Sequence, residues 1–222
     1  ALSEKLLGLS ARRTLPQWTR RTFFNAMREN WALGATREEV LAASKPVVLF
    51  VDTFNGYFEF HNAFSALKVL QAAGYTAHVA TKSIADGKAL CCGRTFLASG
   101  MVDEAKAKAR ELVAALLPFA EKGIAIVGLE PSCLLTLRDE MLVMGLGEEA
   151  QVISRHALLL EEFLAREAAA GKLETLKAGL KPLAQPILLH GHCHQKARHQ
   201  IRDGAQREAI HVAVLLAQQL RG

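Results

Sequence analysis

Cys91 and Cys92 are adjacent, Gly93 follows them, and Cys133 closes the segment Glu130-Pro131-Ser132-Cys133. Lone cysteines often serve as small core hydrophobes, but two neighbouring thiols beside a flexible glycine bring two soft ligands within reach of one metal centre. A glycine there permits a tight turn. A helix opening at Cys133 would supply free N–H groups and a positive dipole end, which favour thiolate over thiol. Two other uses fit the same pair: the thiols can be buried together in a turn, or they can act as a vicinal disulfide with Arg94 lowering one thiol pKa, at the cost of backbone strain. A second group, His190, His192 and His194, alternates along the chain, so that three imidazoles share one side of a strand while Cys193 faces the other. Such a row binds zinc or simply forms a polar strand end.

Apolar spacing indicates which elements must hold these residues. Val47-Val48-Leu49-Phe50-Val51 reads as a fully buried strand ending at Asp52, Asn62 to Ala73 as a helix stopped by Gly74, and Tyr75 to Ala80 as a second strand. After the cysteine pair a helix is predicted from about Val102 to Phe119. Gly123, the strand Ile124-Ala125-Ile126-Val127 and a helix opening at Glu130 to Cys133 follow. This alternation predicts an α/β chain of Rossmann-like, three-layer units with parallel sheets. In open parallel sheets ligands sit beyond the carboxyl ends of the strands. Asp52-Thr53-Phe54, the Cys91-Cys92 loop and Cys133 all follow predicted strands, so the three loops are expected to converge.

Further along, a helix is predicted from about Ala157 to Ala170, then a linker ending at Pro186, the strand Ile187-Leu188-Leu189 with the histidine run at its end, and a packing helix over Asp203 to Leu220. Residues 1–35 lack a sustained period and read as an arm, with Thr36 capping a short helix through Ala43. The expected organisation is a basic arm and short helix over 1–45, a first α/β unit over 46–150 and a second over 151–222.

The chain has 222 residues, half of them hydrophobic, enough to bury a real core. No apolar run approaches the roughly 20 residues of a membrane-spanning helix, and the start lacks a signal peptide's apolar stretch, so a cytoplasmic location is expected. Four cysteines, two of them adjacent, do not resemble the spread pairs of a disulfide-stapled secreted domain; reduced thiols or metal ligands are expected. The net charge of +5 is concentrated early, at Arg12, Arg13, Arg20, Arg21 and Arg28 with Trp18 and Trp31 interleaved. Without a nucleic-acid motif behind it, this reads as a solvated or partner-facing arm, and no nucleic-acid partner is expected.

Taken in order, Asp52-Thr53-Phe54 with Tyr57-Phe58-Glu59, Gly74-Tyr75, Cys91-Cys92-Gly93-Arg94, Gly100 to Ala105 and Glu130-Pro131-Ser132-Cys133 resemble the cysteine-rich "CCG" domain family over most of residues 46–222. His192-Cys193-His194-Gln195-Lys196-Ala197 resembles the opening of a second repeat. Such domains occur, usually as tandem pairs, in the iron–sulfur subunits of glycolate oxidase, anaerobic glycerol-3-phosphate dehydrogenase, lactate-utilisation proteins and heterodisulfide reductase. The basic arm with Leu15-Pro16 and the Asp-Thr-Phe motif resemble the C-terminal portion of large fused enzymes, in which a flavin-binding 2-hydroxy-acid dehydrogenase half precedes ferredoxin-like and CCG parts.

The resemblance implies an electron-transfer module. Cys91, Cys92, Cys133 and Cys193 would ligate an iron–sulfur cluster, with Glu130, His192 and His194 as secondary candidates. FAD would sit on an upstream domain, and a quinone or another carrier would accept the electrons, with the protein peripheral to the inner membrane. No Gly-x-Gly-x-x-Gly loop is present, so hydride chemistry belongs elsewhere. The chain departs from the family pattern in several places. Thr53 stands in the neighbourhood of the first cysteine, and Glu130 stands where the final CxxC would begin. Cys193 has no following Cys-Cys-Gly. Ala197 leads directly into Arg198-His199-Gln200-Ile201, so the second repeat lacks an internal segment near 197/198. The alternative expectation is a cluster-free or zinc-binding docking domain of such an enzyme.

Overall fold

The computed structural model of the chain describes residues 8, 19, 21–29, 34–81, 89–183 and 212–220. In chain order the elements are α1 (Phe23–Glu29), α2 (Arg37–Ala42), β1 (Pro46–Phe50), α3 (Thr53–Tyr57), α4 (Phe60–Ala72), β2 (Thr76–Ala80), α5 (Arg94–Ala98), α6 (Val102–Ala120) and β3 (Ala125–Gly128). They continue with α7 (Pro131–Thr136), a 3-10 turn (Glu140–Val143), α8 (Gly147–His156), β4 (Ala157–Leu159), α9 (Leu160–Ala169), α10 (Glu174–Gly179) and α11 (Val212–Gln219).

The four strands form one all-parallel sheet in the order β2-β1-β3-β4. Both faces are covered, which is why β1 reads as an unbroken apolar run. Val47, Leu49 and Val51 turn toward α4, packing with Ala63, Ala66, Leu67 and Leu70. Val48 and Phe50 turn the other way, joining Ile126 and the α6 residues Ala109, Leu112 and Leu116. Each fully buried Leu or Phe in these two layers is worth on the order of 2 kcal/mol of removal from water. The strand and helix readings at 47–51, 62–73, 75–80, 102–119 and 124–127 agree with β1, α4, β2, α6 and β3 to within two residues. Thr36 caps α2 as expected: its hydroxyl accepts from Glu39 N at 3.2 Å, and the Glu39 carboxylate accepts from Thr36 N at 2.7 Å.

Two stretches differ from the sequence reading. Residues 157–159, expected to open a helix, form β4, which pairs with β3 through Ala157, Leu158 and Leu159 before α9 begins. Three apolar residues are too few to show a period, and they run without a break into the apolar spacing of α9. The sheet therefore extends past residue 150. Within the arm, α1 buries Phe23, Phe24 and Ala26, with the Phe23 ring 4.7 Å from that of Phe64 and the Phe24 ring 5.7 Å from that of Tyr57. These two aromatics anchor the segment on α3 and α4.

At the opposite end of the sheet from the cysteine loops, Glu167 on α9 is buried. Its carboxylate accepts from the Tyr75 hydroxyl at 2.6 Å and pairs with Arg166 at 3.0 Å and Lys172 at 3.1 Å, tying α9 to the start of β2. Among the described residues no helix is long and apolar enough to cross a membrane. The predicted strand 187–189, the histidine run and the junction at 197/198 lie outside the described residues. So does the first half of the predicted closing helix; its remainder is α11, which packs on α4 through Ala213.

Candidate functional site

The crossover from β1 leads outward to β2, and the next one returns over β1 to β3 on its far side. The chain direction thus reverses between β1 and β3, whose carboxyl ends flank the crevice where open α/β sheets place their ligands. Asp52 follows β1 there and Cys133 follows β3.

Asp52 is the N-cap of α3. Its Oδ1 accepts from Phe54 N at 2.8 Å and Asn55 N at 3.1 Å, and its Oδ2 accepts from Asn55 Nδ2 at 2.6 Å. The network continues through Asn62, whose Nδ2 donates to Asn55 Oδ1 at 2.9 Å and to Glu59 Oε2 at 2.9 Å. Burial raises the Asp52 pKa and the charge of Glu130 adds to the effect, while the hydrogen bonds from Asn55 and Phe54 oppose it. Asn55 and Asn62 escaped the sequence reading. An Asp followed three residues later by Asn after a strand was the available signal.

The cysteine pair arrives on a segment pinned at Ala89, whose N–H donates to the Tyr57 hydroxyl at 3.3 Å, and at Leu90, which is buried in the α6 layer. Gly93 then turns the chain into α5 with φ +83°, and a β-carbon there would stand 2.7 Å from the Ala105 carbonyl oxygen. Only glycine satisfies both the positive φ and the close approach to α6. Arg94, at the start of α5, forms an ion pair with Glu140. Its guanidinium is committed to that partner, away from the thiol-activating role considered for it.

Cys133 lies inside α7, at its third residue, with Pro131 at the first position and the Glu130 carboxylate accepting from Ser132 N at 3.1 Å. Cys91, Cys92 and Cys133 are free thiols, the first half-buried and the other two buried. Their thiols act on one another, Cys92 on Cys91 and Cys133 on Cys92. Cys91 Sγ in turn accepts from Gly93 N at 3.4 Å. The three expected loops do converge.

The electrostatics run against the expected thiolate. Donation to Cys92, reinforced by burial, pushes the Cys91 pKa well up, and donation to Cys133 pushes Cys92 up to about 12, again with burial adding. Among the described residues no three His, Cys, Asp or Glu side chains are spaced to hold a metal ion. The donor set nevertheless suits a soft metal centre in kind, being three sulfurs on adjoining segments with an apolar layer behind them. Ligation there requires the sulfurs to exchange hydrogen bonds with one another for a common centre, releasing their protons. His192, Cys193 and His194 lie outside the described residues.

No protein-family model matches the sequence. No solved structure matches it significantly. Among curated proteins, the chain is 28% identical over 200 residues to a subunit of the anaerobic glycerol-3-phosphate dehydrogenase of Escherichia coli strain K12, and equally to its counterpart in Escherichia coli O157:H7. The match covers 88% of this chain and 45% of each relative, so the chain spans a little under half the length of the curated proteins it resembles.

Proposed function

We propose that this chain is the iron–sulfur electron-transfer region of a flavin-linked oxidoreductase of the 2-hydroxy-acid dehydrogenase or glycolate oxidase type. It would take electrons from FAD on an upstream domain and pass them to a quinone or another carrier, with a ferredoxin-like domain of the same enzyme as a further partner, peripheral to the inner membrane. The observation that carries this reading is the convergence of Cys91, Cys92 and Cys133 at the crevice between β1 and β3. Similarity over most of the chain to proteins named as part of a dehydrogenase supports the oxidoreductase setting.

In this reading the three sulfurs hold a cluster, which when bound supplies a site for reversible electron storage. The chain's own residues do the rest. The Asp52, Asn55 and Asn62 network fixes α3 over the site, Gly93 fixes the turn bearing two of the sulfurs, and the α6 layer keeps water from the inner two. Glu130 would have to leave its cap on α7 to act as a ligand, so it ranks behind the sulfurs. Cys193, with His192 and His194, is retained as the candidate ligand group of the second repeat.

Iron, acid-labile sulfide and zinc content after anaerobic reconstitution tests the proposal. Iron and sulfide in matching amounts are expected; their absence from a folded chain with intact thiols would refute it. A second reading is a docking domain without a cluster, and it is favoured by the absence, among the described residues, of three His, Cys, Asp or Glu side chains spaced to hold a metal ion. It expects zinc alone or no metal.

A further inference from the structure

We propose that helix α1, with Thr19 before it, is a strap that holds the Cys91-Cys92 segment closed, and that it acts through Tyr57 as the positioning residue. The inference concerns the accessibility of the thiols and stands whether or not they carry a cluster. Tyr57 is the last residue of α3 and is held from two sides. On the arm's side, the Thr19 hydroxyl is shared between the carbonyl oxygens of Arg21 at 2.9 Å and Tyr57 at 3.0 Å. The buried Phe24 ring lies on the backbone of Gly56, where an added β-carbon would stand 2.5 Å from Phe24 Cε2, and its centre is 5.7 Å from that of the Tyr57 ring. On the cysteine side, the Tyr57 hydroxyl accepts from Ala89 N at 3.3 Å, two residues before Cys91. One aromatic residue thus has its carbonyl and ring held by the arm and its hydroxyl on the segment that brings in two sulfurs.

The consequence follows from how that segment is fixed. Leu90 and Cys92 are 1% and 3% exposed, so a reagent reaches the Cys92 thiol only when the segment lifts. Gly93 and Leu90 anchor it on α6, and the bond from Ala89 anchors its other end on α3. Taking the Phe24 ring off Gly56 and Tyr57 frees the tyrosine, the Ala89 N–H loses a fixed acceptor, and lifting becomes more frequent. Docking of the arm therefore sets how readily the buried thiol meets solvent or a reactant.

The test uses the full chain, reduced and metal-free, as wild type, Tyr57→Phe, Phe24→Leu and the double variant. Each is labelled with N-ethylmaleimide, and the rate at each cysteine is read by peptide mass spectrometry. Tyr57→Phe keeps the ring beside Phe24 and lacks the hydroxyl. Losing one such hydrogen bond is expected to speed Cys92 labelling by about two- to tenfold. Phe24→Leu is expected to speed it as well, and the double variant to be no faster than Tyr57→Phe, because both changes act on the same bond. The Cys133 rate should stay at the wild-type value throughout. An unchanged Cys92 rate in Tyr57→Phe would overturn the inference. So would multiplied effects in the double variant, which would make the arm and the hydroxyl independent. A parallel rise at Cys133 would overturn it too, as a general loss of stability. Thr19→Val, which removes only the arm's hydrogen bond to the Tyr57 carbonyl, replaces Phe24→Leu if that variant does not fold, with the same expected and contrary results.

Discussion

Cys92→Ser is expected to reduce bound iron to background while leaving the chain folded. Cys92 stands between the other two thiols in their mutual influence, and it is buried in the α6 layer with Leu90 and Leu112. Removing it leaves two sulfurs without the one that links them, too few to hold a cluster. Serine occupies nearly the same volume, and its hydroxyl finds the same two sulfurs as hydrogen-bond partners, so the folding cost should stay within about 1–2 kcal/mol. Iron per chain together with a urea midpoint separates loss of the site from loss of the fold. Full iron retention in Cys92→Ser would remove the cysteine pair from the account.

Gly93→Ala is expected to be the most damaging small substitution near the site, at roughly 3 kcal/mol. A left-handed backbone costs a residue with a β-carbon about 1–2 kcal/mol. The new carbon would in addition stand 2.7 Å from the Ala105 carbonyl oxygen and 3.2 Å from the Ala105 Cα, both backbone atoms of α6 that cannot swing aside. Gly100→Ala is the control. Gly100 also has a positive φ, +76°, but nothing lies within 4 Å of its would-be β-carbon, so only the conformational cost of about 1–2 kcal/mol should appear. Equal denaturant midpoints for the two variants would show that α6 yields at Ala105 and that the turn is not fixed by packing.

The parallel sheet was legible because burial on both faces writes strands as continuous apolar runs, and because Gly74 and Gly123 punctuate the helices beside them. Convergence of the Asp52 and Cys133 loops was legible for a topological reason: residues just past the carboxyl ends of the neighbouring parallel strands β1 and β3 must meet, and the Cys91 loop, which follows β2, leads to the same end of the sheet. Strand β4 was hidden by its length, three residues fused to a helix of the same composition. Helix α1 was hidden by charge, since Arg20, Arg21 and Arg28 surround the two phenylalanines that dock it. The protonation of the thiols was not legible at all. Spacing suggested groups that would stabilise thiolate, but the state of each sulfur depends on which neighbour it faces, and here Cys91 and Cys92 face other thiols while Arg94 turns to Glu140.

The most direct measurement is a reductive titration of the anaerobically reconstituted chain, followed by visible absorption and electron paramagnetic resonance, with Cys92→Ser alongside. Charge-transfer absorption that bleaches and returns reversibly, with a paramagnetic signal in one redox state, is the predicted result, and both should vanish in Cys92→Ser. A chain that binds no redox-active iron, or whose signal persists unchanged without the Cys92 sulfur, would contradict electron transfer at this site.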